Sequence, residues 1–307
     1  METSGSTPAR EFMRLPCSGR TEIEMYNYYY VNECSDKSFY TDLATERRKA
    51  DVHCDGIEYE KENSIIGSWE RVRVTSEEGE RSIMRPMGIY DTLSLKKLDS
   101  LTDDELYDTR EVLTRRLCEL FDECGIFPGR LLVVGFGNRN LTPDSVGPKS
   151  AAIVKPTLHI SECEPELFDE LDCSEIAVFC PTVPAVCGMD SSDSVRSLCE
   201  RLMPDAVLAI DSIMTKSVDR LGSTVQISTT GLFPGGMGNL HSPITKASMG
   251  APVIGIGVPT VIDCRAACPE SFKGERLFIS PREIDEITDN AAFIIGGAIN
   301  QAFGLDL

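Results

Sequence analysis

From residue 1 to about 42 the chain carries no sustained hydrophobic period. It is polar and irregular, with Tyr26, Tyr28, Tyr29 and Tyr30 clustered, and reads as an appended segment rather than core. Residues 64–75 (SIIGSWERVRVT) and 82–95 hold short strand-like runs on either side of Ser76-Glu77-Glu78-Gly79, a turn-forming stretch, and this predicts a small β-hairpin. Thr102-Asp103-Asp104-Glu105 then forms a capping box, in which threonine and a glutamate three residues later satisfy first-turn amides. It opens a helix predicted to reach about Glu123, with Leu106, Leu113, Leu117, Leu120 and Phe121 on one side and Gly125 as its stop.

Beyond Gly125 the pattern becomes an alternation of apolar strands and helices. RLLVVGFG (130–137) is a continuous apolar run of the kind a strand buried on both faces requires. A helix follows over about Pro143–Val154, then a strand in EIAVFCP (175–181) and a helix over 193–203. DAVLAID (205–211), TVQIS (224–228) and PVIGIGVP (252–259) are further strands, with a glycine-rich loop (231–238) and a short helix (243–249) before the last. A closing helix over 281–303 starts at Ser280-Pro281 with Glu283 as a second capping box. The alternation predicts an α/β domain over residues 43–307, a largely parallel central sheet flanked by helices.

Charge and composition narrow the functions. The net charge of -19 disfavours direct binding to nucleic-acid phosphates, and 41% hydrophobic residues suffice for a core. Twelve cysteines are scattered without C-x-x-C spacing, and the N-terminus lacks the apolar run of a signal peptide. Together these imply an intracellular, reducing setting with mostly buried free thiols. No segment approaches a membrane span. His53, His159 and His241 form no zinc-hydrolase motif, and no G-x-S-x-G elbow is present. No metal or cofactor is expected.

In α/β sheets of this kind, ligands gather at the carboxyl ends of strands. Asp144 follows the first buried strand and Asp211 ends DAVLAID, so both are expected at one rim. Paired carboxylates can divide peptide hydrolysis, one ionised to activate water and one protonated to polarise the carbonyl. Thr142-Pro143-Asp144 equally reads as an ordinary helix start, and Asp211-Ser212 as the cap of the next turn. GFGN (135–138) lacks the third glycine of a dinucleotide loop. GLFPGGMG, with Gly231, Gly235, Gly236 and Gly238, lacks the ending of a phosphate loop and reads as a substrate-binding loop that lets a peptide backbone approach.

Four runs in order, VVGFGNRNLTPDSVGPK (133–149), VLAIDSIMTKSVDRLGSTVQIS (207–228), TGLFPGGMGN (230–239) and APVIGIGVPTVID (251–263), resemble the germination protease family over roughly residues 38–305. That family is related in fold to the hydrogenase maturation peptidases. The resemblance implies an atypical aspartic endopeptidase made as a zymogen in the forespore and spore core. It further implies assembly as a homotetramer and the small acid-soluble spore proteins as substrate. Its two proposed catalytic carboxylates match Asp144 and Asp211. Family self-processing occurs at an acid followed by a hydrophobic residue and alanine, which Asp42-Leu43-Ala44 matches. Cleavage between Asp42 and Leu43, removing a propeptide of residues 1–42, is therefore expected. The chain departs from the family where Thr229 and Phe233 replace an acid and a histidine, and where Lys216 stands for an arginine. Two other readings accompany this one: a diverged inactive homologue with a binding or regulatory role, and a hydrogenase-maturation-type metal-dependent peptidase.

Overall fold

The computed structural model describes residues 40–48, 55–233, 242–268 and 277–305. Most of the N-terminal segment, Gly235, Gly236, Gly238, His53 and His241 lie outside them, and of the predicted glycine loop only Gly231–Phe233 is described.

The strands are β1 (Ile57–Ser64), β2 (Gly67–Val74), β3 (Gly88–Leu95), β4 (Arg130–Gly135), β5 (Glu175–Phe179), β6 (Ala206–Thr215), β7 (Thr224–Ser228), β8 (Val253–Asp263) and β9 (Phe278–Ile279). They form one sheet in the order β1-β2-β3-β7-β8-β6-β4-β5, with β9 on β8. The β5–β4–β6–β8 portion is parallel, whereas β1–β2, β2–β3, β3–β7, β7–β8 and β8–β9 pair antiparallel. The sheet is thus mixed, not largely parallel. The reason is a connection length: residues 216–223 between β6 and β7 hold only the 3-10 turn Val218–Arg220, too short for a crossover helix.

The predicted hairpin is real as a pair, since Gly67↔Leu95 and Val74↔Gly88 are partners in register. Its connection is not a tight turn, however. Ser76 caps the helix Glu77–Ile83, accepting from the Gly79 amide at 3.2 Å. The helix Asp103–Glu123 has the predicted capping box, and Val112, Leu113, Leu117, Leu120 and Phe121 are buried. The closing helix is Ile284–Ala302, and no side chain caps it, so the second capping box is absent. These two helices cover one face of the sheet over a core that includes Leu131, Val133, Leu208, Ile210, Ile254 and Ile256. The helix Ser191–Leu202 covers the other face through Val195 and Cys199, against Leu132, Val134, Val207 and Ala209.

None of the nine described cysteines is in a disulfide, but most are exposed and only Cys199 is buried, contrary to the expected mostly buried thiols. Most sit at helix ends or in the loops that follow an element, where solvent reaches them. Among the described residues no helix is long and apolar enough to cross a membrane.

Candidate active site

β4 ends at Gly135, opposite Ile210 of β6, and the Phe136 amide continues the ladder to the Ile210 carbonyl at 2.8 Å. The chain then turns over the strand end. Gly137, at φ +114°, brings its backbone so close that a Cβ would lie 2.1 Å from the Asp144 carbonyl oxygen. Asp144 closes a 3-10 turn, Thr142–Asp144, ahead of the helix Val146–Ile153. The Thr142 side chain caps neither element. Instead the Asp144 carboxylate accepts the Asn138 amide at 2.9 Å, so it is held by the loop it belongs to.

Asp211 is not the last residue of its strand. β6 runs on to Thr215, with Asp211 opposite Gly257 of β8 and a register shift between Ile213 and Met214. Its side chain is nearly buried, 8% exposed, and accepts the Ser212 amide at 2.8 Å. Gln226 of β7 also faces Gly257, so Gln226, Gly257 and Asp211 form one row across three strands. Ile213 of β6, two residues past Asp211, closes over Gly257, with its side chain 2.7 Å from where a Cβ would sit. A cavity of about 130 Å³ opens beside this row, lined by Asp144, Asp211, Gln226, Gly231, Phe233 and Asp42 among others.

Two carboxyls facing one small cavity repel each other as ions. Burial pushes Asp144 from its ordinary 3.8 up to about 6. Asp211 is raised well above the same value, first by burial, then by the nearby Asp144 charge and by Asp42. The pair therefore holds a proton into the neutral range, which is the state that acid–base hydrolysis needs.

A raised carboxyl has a stability signature opposite to that of an ordinary ion-paired acid. The unfolded Asp144 ionises near 3.8 and the folded one near 6, so stability falls as pH rises between them and is level above. Asp144→Asn keeps the acceptor for the Asn138 amide and removes this loss. It is expected to stabilise the protein by on the order of 2–3 kcal/mol at pH 7 and by little at pH 4. Denaturant unfolding at the two pH values checks this.

The segment Tyr40–Arg48 occupies the same cleft. β6 extends beyond the end of β4, so among the described residues its edge past Ile210 has no strand partner on that side. Residue 42 uses that edge: its amide donates to the Met214 carbonyl at 2.9 Å and its carboxylate accepts the Met214 amide at 2.8 Å. The Asp42 carboxylate also accepts the Tyr40 hydroxyl at 2.6 Å and lies 3.5 Å from the Arg85 guanidinium, which donates to the Thr41 carbonyl at 2.7 Å. Leu43 and Ala44 are completely buried. Four residues past Asp42, the Glu46 carboxylate accepts the Thr215 hydroxyl at 2.6 Å and the Lys216 amide at 3.0 Å.

Sequence reasoning missed Arg85 and Gln226, because their role depends on which strands become neighbours. The departures Thr229 and Phe233 have different fates. Thr229 exchanges hydrogen bonds with the Ile89 backbone of β3, and Phe233 lines the cavity. Lys216 donates through its ammonium to the Glu46 carbonyl at 2.6 Å. His159 is exposed and not part of the cavity lining. Among the described residues no three His, Cys, Asp or Glu side chains cluster in a metal-holding group.

A family model described as germination protease matches residues 35–273. The germination protease of Caldanaerobacter subterraneus subsp. tengcongensis is 29% identical over 306 residues, covering 85% of this chain and 93% of the relative. That of Bacillus pumilus is 34% identical over 235 residues, covering 73% of this chain and 63% of the relative. Among solved structures, the [NiFe] hydrogenase maturation protease HycI of Thermococcus kodakarensis aligns with 60% of this chain and 99% of its own, at 18% identity and a TM-score of 0.35.

Proposed function

The chain belongs to the germination protease family and is an endopeptidase, and from that premise we propose that it is a self-processing zymogen that cuts after Asp42 by means of Asp144 and Asp211. The matured enzyme would then begin the breakdown of small acid-soluble spore proteins in the spore core. We further propose that it works as a homotetramer and without metal or cofactor. The observation that carries the reading is one of location. The Asp42 side of the Asp42–Leu43 bond lines the same cavity as the two aspartates with raised pKa values.

The chemistry divides by burial. Asp211, the more deeply buried, keeps the proton and would offer it to the carbonyl oxygen of residue 42 as water adds. Asp144, raised only to about 6, is ionised at neutral pH and takes a proton from water as its oxygen adds to that carbonyl carbon. The C–N bond to Leu43 then breaks and Asp211 gives its proton to the leaving nitrogen. Water and one amide become an α-carboxylic acid on residue 42 and an amine on Leu43, and the acid passes its proton to the amine to leave a carboxylate and an ammonium. The pair still holds one proton, now on Asp144, and a single transfer resets it.

Recognition falls to the cleft that holds residues 40–46. Arg85 faces the acid before the bond, the buried positions of Leu43 and Ala44 take small apolar groups, and the Thr215–Lys216 corner takes a second acid. Arg85→Met is expected to slow cleavage after an acid by about 10- to 100-fold, the worth of one hydrogen bond to a charged group. It should slow cleavage of an otherwise identical peptide with asparagine at that position by less, because there only the bond to the Thr41 carbonyl is lost. Steady-state rates on the two peptides check it.

The reading itself is tested by following the intact mass of the full chain beside a version with both aspartates replaced by alanine. Loss of residues 1–42 in the parent alone supports it. A parent that stays whole and spares added spore protein favours the inactive homologue.

A further inference from the structure

Gln226 is 8% exposed on β7, and both ends of its amide are spent on the docked segment. The Ala44 amide donates to Oε1 at 2.9 Å, and Nε2 donates to the Asp42 carbonyl oxygen at 3.2 Å. The orientation follows from chemistry, since a backbone N–H can only donate and therefore must face the side-chain oxygen. The nitrogen is thereby aimed at the carbonyl of the Asp42–Leu43 bond. Gln226 also stands in one register row with Gly257 and Asp211, and Gln226 and Asp211 line the same cavity.

We infer that Gln226 is a further catalytic residue, the amide donor that polarises the scissile carbonyl and holds the negative charge that forms there. This rests on the cleavage reading above. When water adds to the carbonyl carbon, the electron pair of the C=O bond moves onto oxygen, and it returns as the C–N bond breaks. A fixed N–H aimed at that oxygen gains strength as the charge builds, so it favours the transition state over the resting peptide. Through Oε1 the same side chain fixes the backbone two residues on, which keeps the carbonyl from turning away.

Self-cleavage of the full chain is the natural assay, because the docked segment makes it a single intramolecular turnover. Gln226→Met matches the volume and removes both contacts; Gln226→Glu keeps the acceptor for Ala44 and, ionised, removes the donor. Each variant is expected to lose about 10²–10³-fold in cleavage rate, the usual cost of one such donor. In each, the Asp42 amide should stay protected from hydrogen exchange through its bond to Met214. Protection lost together with the rate in both variants would mean that Gln226 only holds the segment in place, and would overturn the inference. So would a rate within tenfold of the parent. A second readout needs no turnover: the carbon-13 shift of the Asp42 carbonyl in the full chain should move in Gln226→Met, and an unmoved shift counts against the contact. A parent that never cleaves counts against the proposed function, while the carbonyl shift still decides the Gln226 contact.

Discussion

Asparagine at Asp211 is expected to reduce self-cleavage and peptide cleavage by about 10³-fold or more, with the fold intact. General acid–base groups contribute about 10²–10⁴-fold each, and asparagine can neither give nor take the proton. It retains an acceptor for the Ser212 amide, so the local hydrogen bond survives. Asp144→Asn should fall by a similar factor while gaining stability, and the double variant should be little slower than either single one, because the two act as a unit. The parent's rate should follow a bell in pH. Its acid limb lies near 6, where Asp144 takes up the second proton, and its alkaline limb lies higher, where the shared proton leaves. A flat profile, or an Asp211→Asn chain that still cleaves at one tenth of the parent's rate, would exclude the aspartate pair as the proton carriers.

The largest stability effect is expected at Gly147. Glycine within a helix ordinarily gains about 1 kcal/mol on conversion to alanine. Here a Cβ would sit 2.2 Å from the Phe136 carbonyl oxygen, 2.5 Å from that of Ile210 and 2.6 Å from the Phe136 amide. All three atoms are backbone at the carboxyl end of the β4–β6 ladder and cannot step aside as a flexible side chain would. Gly135 faces the same contact from the strand, where a Cβ would lie 2.3 Å from the Gly147 carbonyl oxygen. The overpacking cost outweighs the helix gain, so Gly147→Ala should lose about 3 kcal/mol or more. It should also shift the helix start that follows Asp144 and so depress activity. Gly297→Ala is the matched control. Its Cβ would meet the Cδ of Arg110, 2.6 Å away on a side chain that can rotate, and the result should be near neutral. Denaturant midpoints of the two variants compare the cases directly.

What could be read from the chain depended on how far each signal reached. β4, β8 and the first half of β6 were legible because a strand buried on both faces must be continuously apolar. β1 was not, since IEYEKENS pairs only with β2 and leaves most of its side chains exposed. The helix at Glu77 was hidden by Gly79, which reads as a turn but packs where a Cβ would lie 2.3 Å from the Gly56 carbonyl oxygen. The two aspartates were visible as candidates, yet each had an equally good local explanation as a cap. Only strand order removes it, by continuing β6 past Asp211 and turning Asp144 to the Asn138 amide. Gln226 looked like one more residue of a buried strand. Nothing in TVQIS says that residues 42–44 will lie alongside it.

The complete burial of Leu43 and Ala44 bears on what happens after the cut. Opening the bond after Asp42 frees the residues before it, but Leu43–Arg48 stays covalently joined to the enzyme. The new terminus is a product that never diffuses away, present at an effective concentration on the order of millimolar for a short tether. On the proposed reading, a substrate would have to displace it from the sites that Leu43, Ala44 and Glu46 fill. Maturation would thus yield a protease with a built-in competitor. Its rate would remain low while substrate is scarce and climb where substrate is packed at high local density.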